Sequence, residues 1–249
     1  MSLGEASFLL IAGIVAGVVG SGGGITSLVS YPALLAVGIP PLPANVVNLV
    51  AAAAIGPGSA VTSRRELADA GPVLLRLLPV AALGSGVGSV LLLTTPAGMF
   101  ARMVPFLVVG GSVVLLAQPA LMKLRDRILV SAPLLIGLLV GAVSVYSGYF
   151  GAGSGVMLLA VVSVLVEPRI APANAIKNML IGASSVVAAV VFVINGDVQW
   201  NAVLPLAGGL LLGSAFGPVA VRHLPPNLVR WLAAACGFLF AAYLWLRPA

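Results

Sequence analysis

Long apolar runs separated by short polar or proline-rich breaks set the pattern of this chain. Apolar segments cover residues 8–20, 25–37, 44–61, 72–93, 100–118, 133–150, 156–166, 173–194, 200–221 and 228–246. About 20 residues are needed to cross ~30 Å of hydrocarbon as a helix. Most runs meet that length, and none alternates polar with apolar as the strands of a membrane barrel would. The pattern predicts an all-α integral membrane protein. Two places depart from whole spans. Residues 8–20 and 25–37 are half-spans flanking Gly17-Val18-Val19-Gly20-Ser21-Gly22-Gly23-Gly24-Ile25, and 133–150 and 156–166 flank Gly148-Tyr149-Phe150-Gly151-Ala152-Gly153-Ser154-Gly155-Val156. Glycine inside a helix costs roughly 1 kcal/mol relative to alanine, so each cluster is expected to interrupt its helix. Broken backbone at membrane depth is tolerated only where protein or a watery cavity satisfies it. Each break is therefore expected to face a transport pathway.

The breaks belong to a longer repeat. Pro43-Ala44-Asn45 returns as Pro172-Ala173-Asn174, the spacing Gly84-x-x-x-Gly88 as Gly213-x-x-x-Gly217, and Pro96 as Pro225, at offsets of 129 to 131. This predicts two homologous halves, 1–118 and 131–249, joined by a charged linker at 119–130 that carries Lys123, Arg125, Asp126 and Arg127. Each half holds one glycine-broken unit plus three spanning helices. If each broken unit crosses once, the halves run parallel, with Arg102, Arg169, Lys177, Arg222 and Arg230 opposite the remaining cations. If each is re-entrant, the halves are inverted, and all twelve Lys and Arg except Arg102 and Arg247 fall on one side. Retention of basic residues in the cytoplasm favours inverted repeats, with a cytoplasmic linker and both termini outside.

Composition agrees with a membrane protein: 61% hydrophobic, 7% charged, mean hydropathy +1.19. The net charge of +6 lies mostly in short loops, where orientation explains it, and no basic patch or aromatic platform points to nucleic acid. Cys236 is the one cysteine, so neither an intramolecular disulfide nor a thiolate metal cluster is expected. Glu5 stands where a basic leader region would, which argues against a cleaved signal peptide. Trp200, Trp231 and Trp245 fall near span ends, as interfacial anchors do.

GVVGSGGGI followed by Pro32, and SGYFGAGSGV with PANAIKNML, resemble the TauE/SafE sulfite exporter family, also called the toluene-sulfonate uptake permeases. The resemblance spans nearly the whole chain. It implies a secondary carrier of the bacterial or archaeal inner membrane for sulfite, sulfonates or other small organic anions. One departure is Gly153-Ser154-Gly155, where the first copy has three successive glycines.

An anion carrier needs positive potential and hydrogen-bond donors near mid-membrane. Helix ends freed at Gly20, Ser21, Gly22, Gly23 and Gly24, and at Gly151, Gly153, Ser154 and Gly155, are expected to offer backbone N–H groups carrying about half a positive charge. Close helix packing is the alternative use of such glycines. Asn45 and Asn48 lie one turn apart, and Asn174 and Lys177 hold the matching positions, with Asn178 beside Lys177. Amides and an ammonium there would grip a sulfonate or carboxylate. Capping and interhelical bonding are the alternatives for the asparagines. Lys177 is the sharpest candidate, since a charge inside a span costs several kcal/mol unless it snorkels to the interface or is paired. For Ser21, Thr26 and Ser154, a bond to a carbonyl one turn back competes with a ligand role, and for Tyr31, Tyr146 and Tyr149 core packing does. Every acid lies in a loop or near a terminus, and His223 is in a loop, so no carboxylate or histidine proton relay is evident. Uncoupled export driven by the membrane potential, or facilitated movement, follows. No cofactor or metal is called for. A homodimer is left open. A channel, a carrier of another small solute, and, less favoured, an intramembrane enzyme are the competing functions.

Overall fold

A computed structural model describes residues 1–123, 133–196 and 198–220, with isolated positions between 231 and 242. The linker beyond Lys123, Asp197, His223, Pro225 and most of the span expected at 228–246 lie outside the described residues. Those residues hold eleven α-helices and no strand. In order these are α1 (Leu3–Gly23), α2 (Thr26–Ala36), α3 (Pro41–Ala51), α4 (Ile55–Thr62), the four-residue α5 (Arg64–Leu67), α6 (Gly71–Thr94), α7 (Ala97–Lys123), α8 (Pro133–Tyr149), α9 (Ser154–Leu165), α10 (Ile170–Asn195) and α11 (Trp200–Ala220). A 3-10 turn at Ala52–Ala54 joins α3 to α4, making one apolar span of Pro41–Thr62. Six stretches among the described residues are long and apolar enough to cross a membrane. The chain is a multi-pass integral membrane protein.

Two boundaries correct the expectation from sequence. First, α1 is not a half-span: it has 21 residues, about 30 Å of helix, and continues through Gly20, Ser21, Gly22 and Gly23. It ends in a left-handed C-cap at Gly24 (φ 80°). Second, the break between α8 and α9 falls at Phe150–Gly153, with Gly151 and Gly153 at φ 83° and 79°. In the repeat alignment Gly151 matches Gly20, so the two halves break four residues apart.

Packing explains why the first helix runs on. The glycine face of α1 lies directly on α11. A Cβ on Gly13 would sit 2.5 Å from the Leu206 oxygen, and one on Gly17 2.7 Å from the Leu210 oxygen. Backbone contact this close between membrane helices offsets the poor helical propensity of glycine. The same contact recurs between α8 and α6. A Cβ on Gly84 would meet the Gly141 oxygen at 2.7 Å, while Gly148 lies against the Ser85 backbone. These two helix pairs are the most extensive in the fold. The repeat matches α1 with α8 and α6 with α11, so the broken unit of each half packs on the second spanning helix of the other.

The span Pro41–Thr62 is enclosed, 72% of it buried against 28% of α1. It crosses the interior beside α10 and α11. Leu75, Leu83, Phe106, Leu134, Ile194 and Phe216 point outward, where lipid covers them.

Candidate functional site

The candidate polar side chains gather where α1 ends. The last carbonyls of a helix have no partner within it and carry its negative end. Here α10 supplies three donors from a single face, at i, i+3 and i+4. Asn174 Nδ2 donates to the Ser21 oxygen at 2.8 Å and Asn178 Nδ2 to the same oxygen at 2.9 Å. Lys177 Nζ donates to the Gly20 oxygen at 3.1 Å and to the Ser21 oxygen at 3.3 Å. The Gly24 amide also closes on the Gly20 oxygen at 2.6 Å. Lys177, Asn178 and Ser21 are each 0% exposed. Lys177 therefore turns inward onto α1 and does not snorkel. It begins about 10 Å into α10, counting from Ile170.

The end of α8 is treated alike. Asn45 Nδ2 donates to the Tyr149 oxygen at 2.8 Å. Asn45 and Asn174 are repeat equivalents, and each bonds the terminal carbonyls of the other half's broken unit. Position 48 differs from its equivalent 177. Asn48 Nδ2 donates to Ser27 Oγ at 3.0 Å, and its Oδ1 accepts from Ser30 Oγ at 2.5 Å. The equivalent positions are thus asymmetric: the Lys177 ammonium bonds the end of α1, while the Asn48 amide is tied to two hydroxyls of α2 in the same broken unit.

Donation by the asparagine amides to carbonyls is interhelical bonding, the alternative weighed from sequence. What they leave open is acceptor capacity: Oδ1 of Asn45, Asn174 and Asn178 is buried without a hydrogen-bond partner. Among the described residues Lys177 uses two of its three N–H groups.

The glycine clusters meet. A Cβ on Gly24 would lie 2.5 Å from the Gly155 carbonyl carbon, and one on Gly155 2.6 Å from the Gly24 Cα. No ligand fits between these two residues. Ser154 is buried and its Oγ donates to the Gly151 oxygen at 2.8 Å, while Ser21 Oγ donates to the Gly17 oxygen at 2.7 Å. Both hydroxyls are spent on the local backbone. Tyr31 is buried against Phe150, and its hydroxyl donates to the Pro41 oxygen. The Tyr146 hydroxyl donates to the Ala152 oxygen, bracing the second break.

Three members of the network were missed from sequence: Ser27, Ser30 and Ser59. Ser59 Oγ accepts from Asn178 Nδ2 at 2.7 Å, linking α4 to the site. Serine is common in membrane helices, and no local pattern marks these three; spacing of one turn from Thr26 to Ser30 is the only available signal. Among the described residues no three of His, Cys, Asp and Glu gather as a metal site would need.

Comparison with known proteins bears on what this arrangement serves. No solved structure matches the chain. It is 29% identical over 244 residues to a probable membrane transporter protein of Haemophilus influenzae, covering 95% of this chain and 92% of that one. It is 29% identical to the probable membrane transporter protein ORF9 of a Sinorhizobium species, covering 85% and 81%. The probable membrane transporter protein YfcA of Escherichia coli K12 is 26% identical, covering 89% and 81%. The profile of the sulfite exporter TauE/SafE family matches residues 6–244. With its two glycine breaks, its reciprocal packing and this match over almost its whole length, the chain belongs to the TauE/SafE family of membrane transporters.

Proposed function

We propose that the protein is a secondary carrier of a small anion, such as sulfite, a sulfonate or another organic anion. It moves that anion outward, or in either direction, across the bacterial or archaeal inner membrane. The observation that carries this reading is Lys177: a fully buried lysine that, among the described residues, bonds only neutral carbonyls and keeps one N–H without a partner. An ammonium at such depth has its natural partner in an anion. Asn174 and Asn178 orient it, and Asn45 and Asn48 line the equivalent place in the other half. Backbone amides at the starts of α2 and α9 add positive dipole ends.

The halves work as inverted repeats about the Gly24–Gly155 contact, and access alternates as one rocks against the other. The reciprocal packing of α1 on α11 and α8 on α6 supports this, as does the distribution of basic residues. The linker is then cytoplasmic.

Purified protein in liposomes, loaded with sulfite, small sulfonates or carboxylates and assayed for exchange of the labelled anion, tests the reading. Exchange is expected for at least one of these classes and is lost in Lys177→Ala. Undiminished exchange in the Lys177→Ala/Asn174→Ala double variant would remove these side chains from the site.

A further inference from the structure

Resting on the carrier reading, we propose that Lys177 bears a transported proton, so that one proton travels with each anion. The sequence offers no carboxylate or histidine for such a role, but the fold leaves this ammonium as a titratable group at the heart of the site. Among the described residues its charge has no counter-ion. The elements packed on α10 are α1, α3, the 3-10 turn, α4, α5, α6, α8 and α9. Their titratable groups are Glu5 on α1, Arg64, Arg65 and Glu66 on α5, Arg76 on α6, and Tyr146 and Tyr149 on α8. Arg64, Arg65 and Arg76 are exposed, and Glu5 lies at the far end of α1 from Gly20. Glu66 sits on the short loop helix α5, and the tyrosine hydroxyls bond Ala152, Thr95 and Met103. None of these bonds Lys177.

The two carbonyls that hold Lys177 do not depend on it. Ser21 O keeps Asn174 and Asn178 as donors, and Gly20 O keeps the Gly24 amide. A carbonyl has two lone pairs, so the lysine is a surplus third donor at Ser21. It can turn away, or lose its charge, without leaving a buried acceptor orphaned.

These facts define a cycle. The loaded site holds the ammonium and the anion, with no net charge. When the anion leaves, Nζ passes one proton to water on that side and becomes an amine, and the empty site returns neutral. It takes a proton from water on the first side before the next anion binds. One proton and one anion cross together, and no net charge moves. A bare ammonium never makes the crossing, which would cost several kcal/mol.

Proteoliposomes with the potential clamped at zero, a pH difference of about one unit and labelled ethanesulfonate or sulfite test this. Ethanesulfonate stays ionised throughout, so its own protonation cannot mimic coupling. The expected result is anion accumulation of about tenfold on the alkaline side, the ratio of the two proton concentrations, with little response to an imposed potential. In Lys177→Arg the group cannot deprotonate, so any exchange that remains no longer follows the pH difference. Accumulation in the wild type that follows the potential and ignores pH would overturn the proposal, as would pH-driven accumulation in Lys177→Arg. Absence of exchange for sulfite, sulfonates and carboxylates alike would overturn the carrier reading itself.

Discussion

Three glycines separate backbone conformation from space, and substituting each with alanine gives a graded prediction. Gly38 has φ 83° with nothing within 4 Å of an added Cβ, so Gly38→Ala carries only the left-handed penalty of about 1–2 kcal/mol. Gly155 lies inside α9 with ordinary backbone, but its Cβ would meet the Gly24 Cα and oxygen, both at 2.6 Å. Overpacking of this kind costs about 1–3 kcal/mol where neighbours yield, and here the neighbour is backbone. Gly24 combines both, with φ 80° and a Cβ 2.5 Å from Gly155. Gly24→Ala is therefore expected to cost about 2–5 kcal/mol, the sum of the two ranges. Thermal unfolding of detergent-purified protein, followed by tryptophan fluorescence, reads the order. At roughly 2–4 °C per kcal/mol, Gly38→Ala loses a few degrees and Gly24→Ala about twice to three times as much. Because Gly24 and Gly155 touch, the double alanine variant should fall short of additivity. Equal losses at Gly24 and Gly38, or a silent Gly155→Ala, would refute the close contact of the two halves.

Other substitutions probe the remaining contacts. Asn45→Leu strands the Tyr149 oxygen and should cost about 1–3 kcal/mol in the same unfolding assay, with Asn174→Leu milder because Asn178 still serves Ser21. Ser85→Ala removes the 2.7 Å bond from α6 to the Ser184 oxygen on α10, and should lower stability by about 0.6 kcal/mol, as interhelical bonds in membranes do. Gly17→Leu drives a side chain into the Leu210 oxygen and Ser214 amide, and no monodisperse protein should elute on size exclusion.

Much of the architecture could be read in advance, for local reasons. Runs bounded by turn-forming residues came out within a few residues: 72–93 against Gly71–Thr94, 173–194 against Ile170–Asn195, and 200–221 against Trp200–Ala220. The 3-10 turn at Ala52–Ala54 was illegible because alanine there signals nothing but helix. Glycine density located both breaks, yet could not tell which glycine would carry the positive φ. That choice depends on α11, almost 200 residues downstream, whose own glycines let α1 continue. In the site, Lys177 stood out because a charge within an apolar run is rare, but its inward turn depended on the carbonyls of α1 being present. Asn45, Asn174 and Asn178 give their hydrogens to protein, the interhelical bonding weighed from sequence, and keep oxygens to spare. Ser27, Ser30 and Ser59 became visible only once α2 and α4 had been folded against their partners.

The seating of α1 on α11 also bears on biosynthesis. α1 leaves the ribosome well before its main neighbour, α11. At about 5–20 residues per second, some ten to forty seconds separate the emergence of the two. Over that interval the bare glycine stripe has only lipid, or the insertion machinery, to rest against. The arrival of α11 closes that gap, and a chain cut short before α11 would leave α1 stranded.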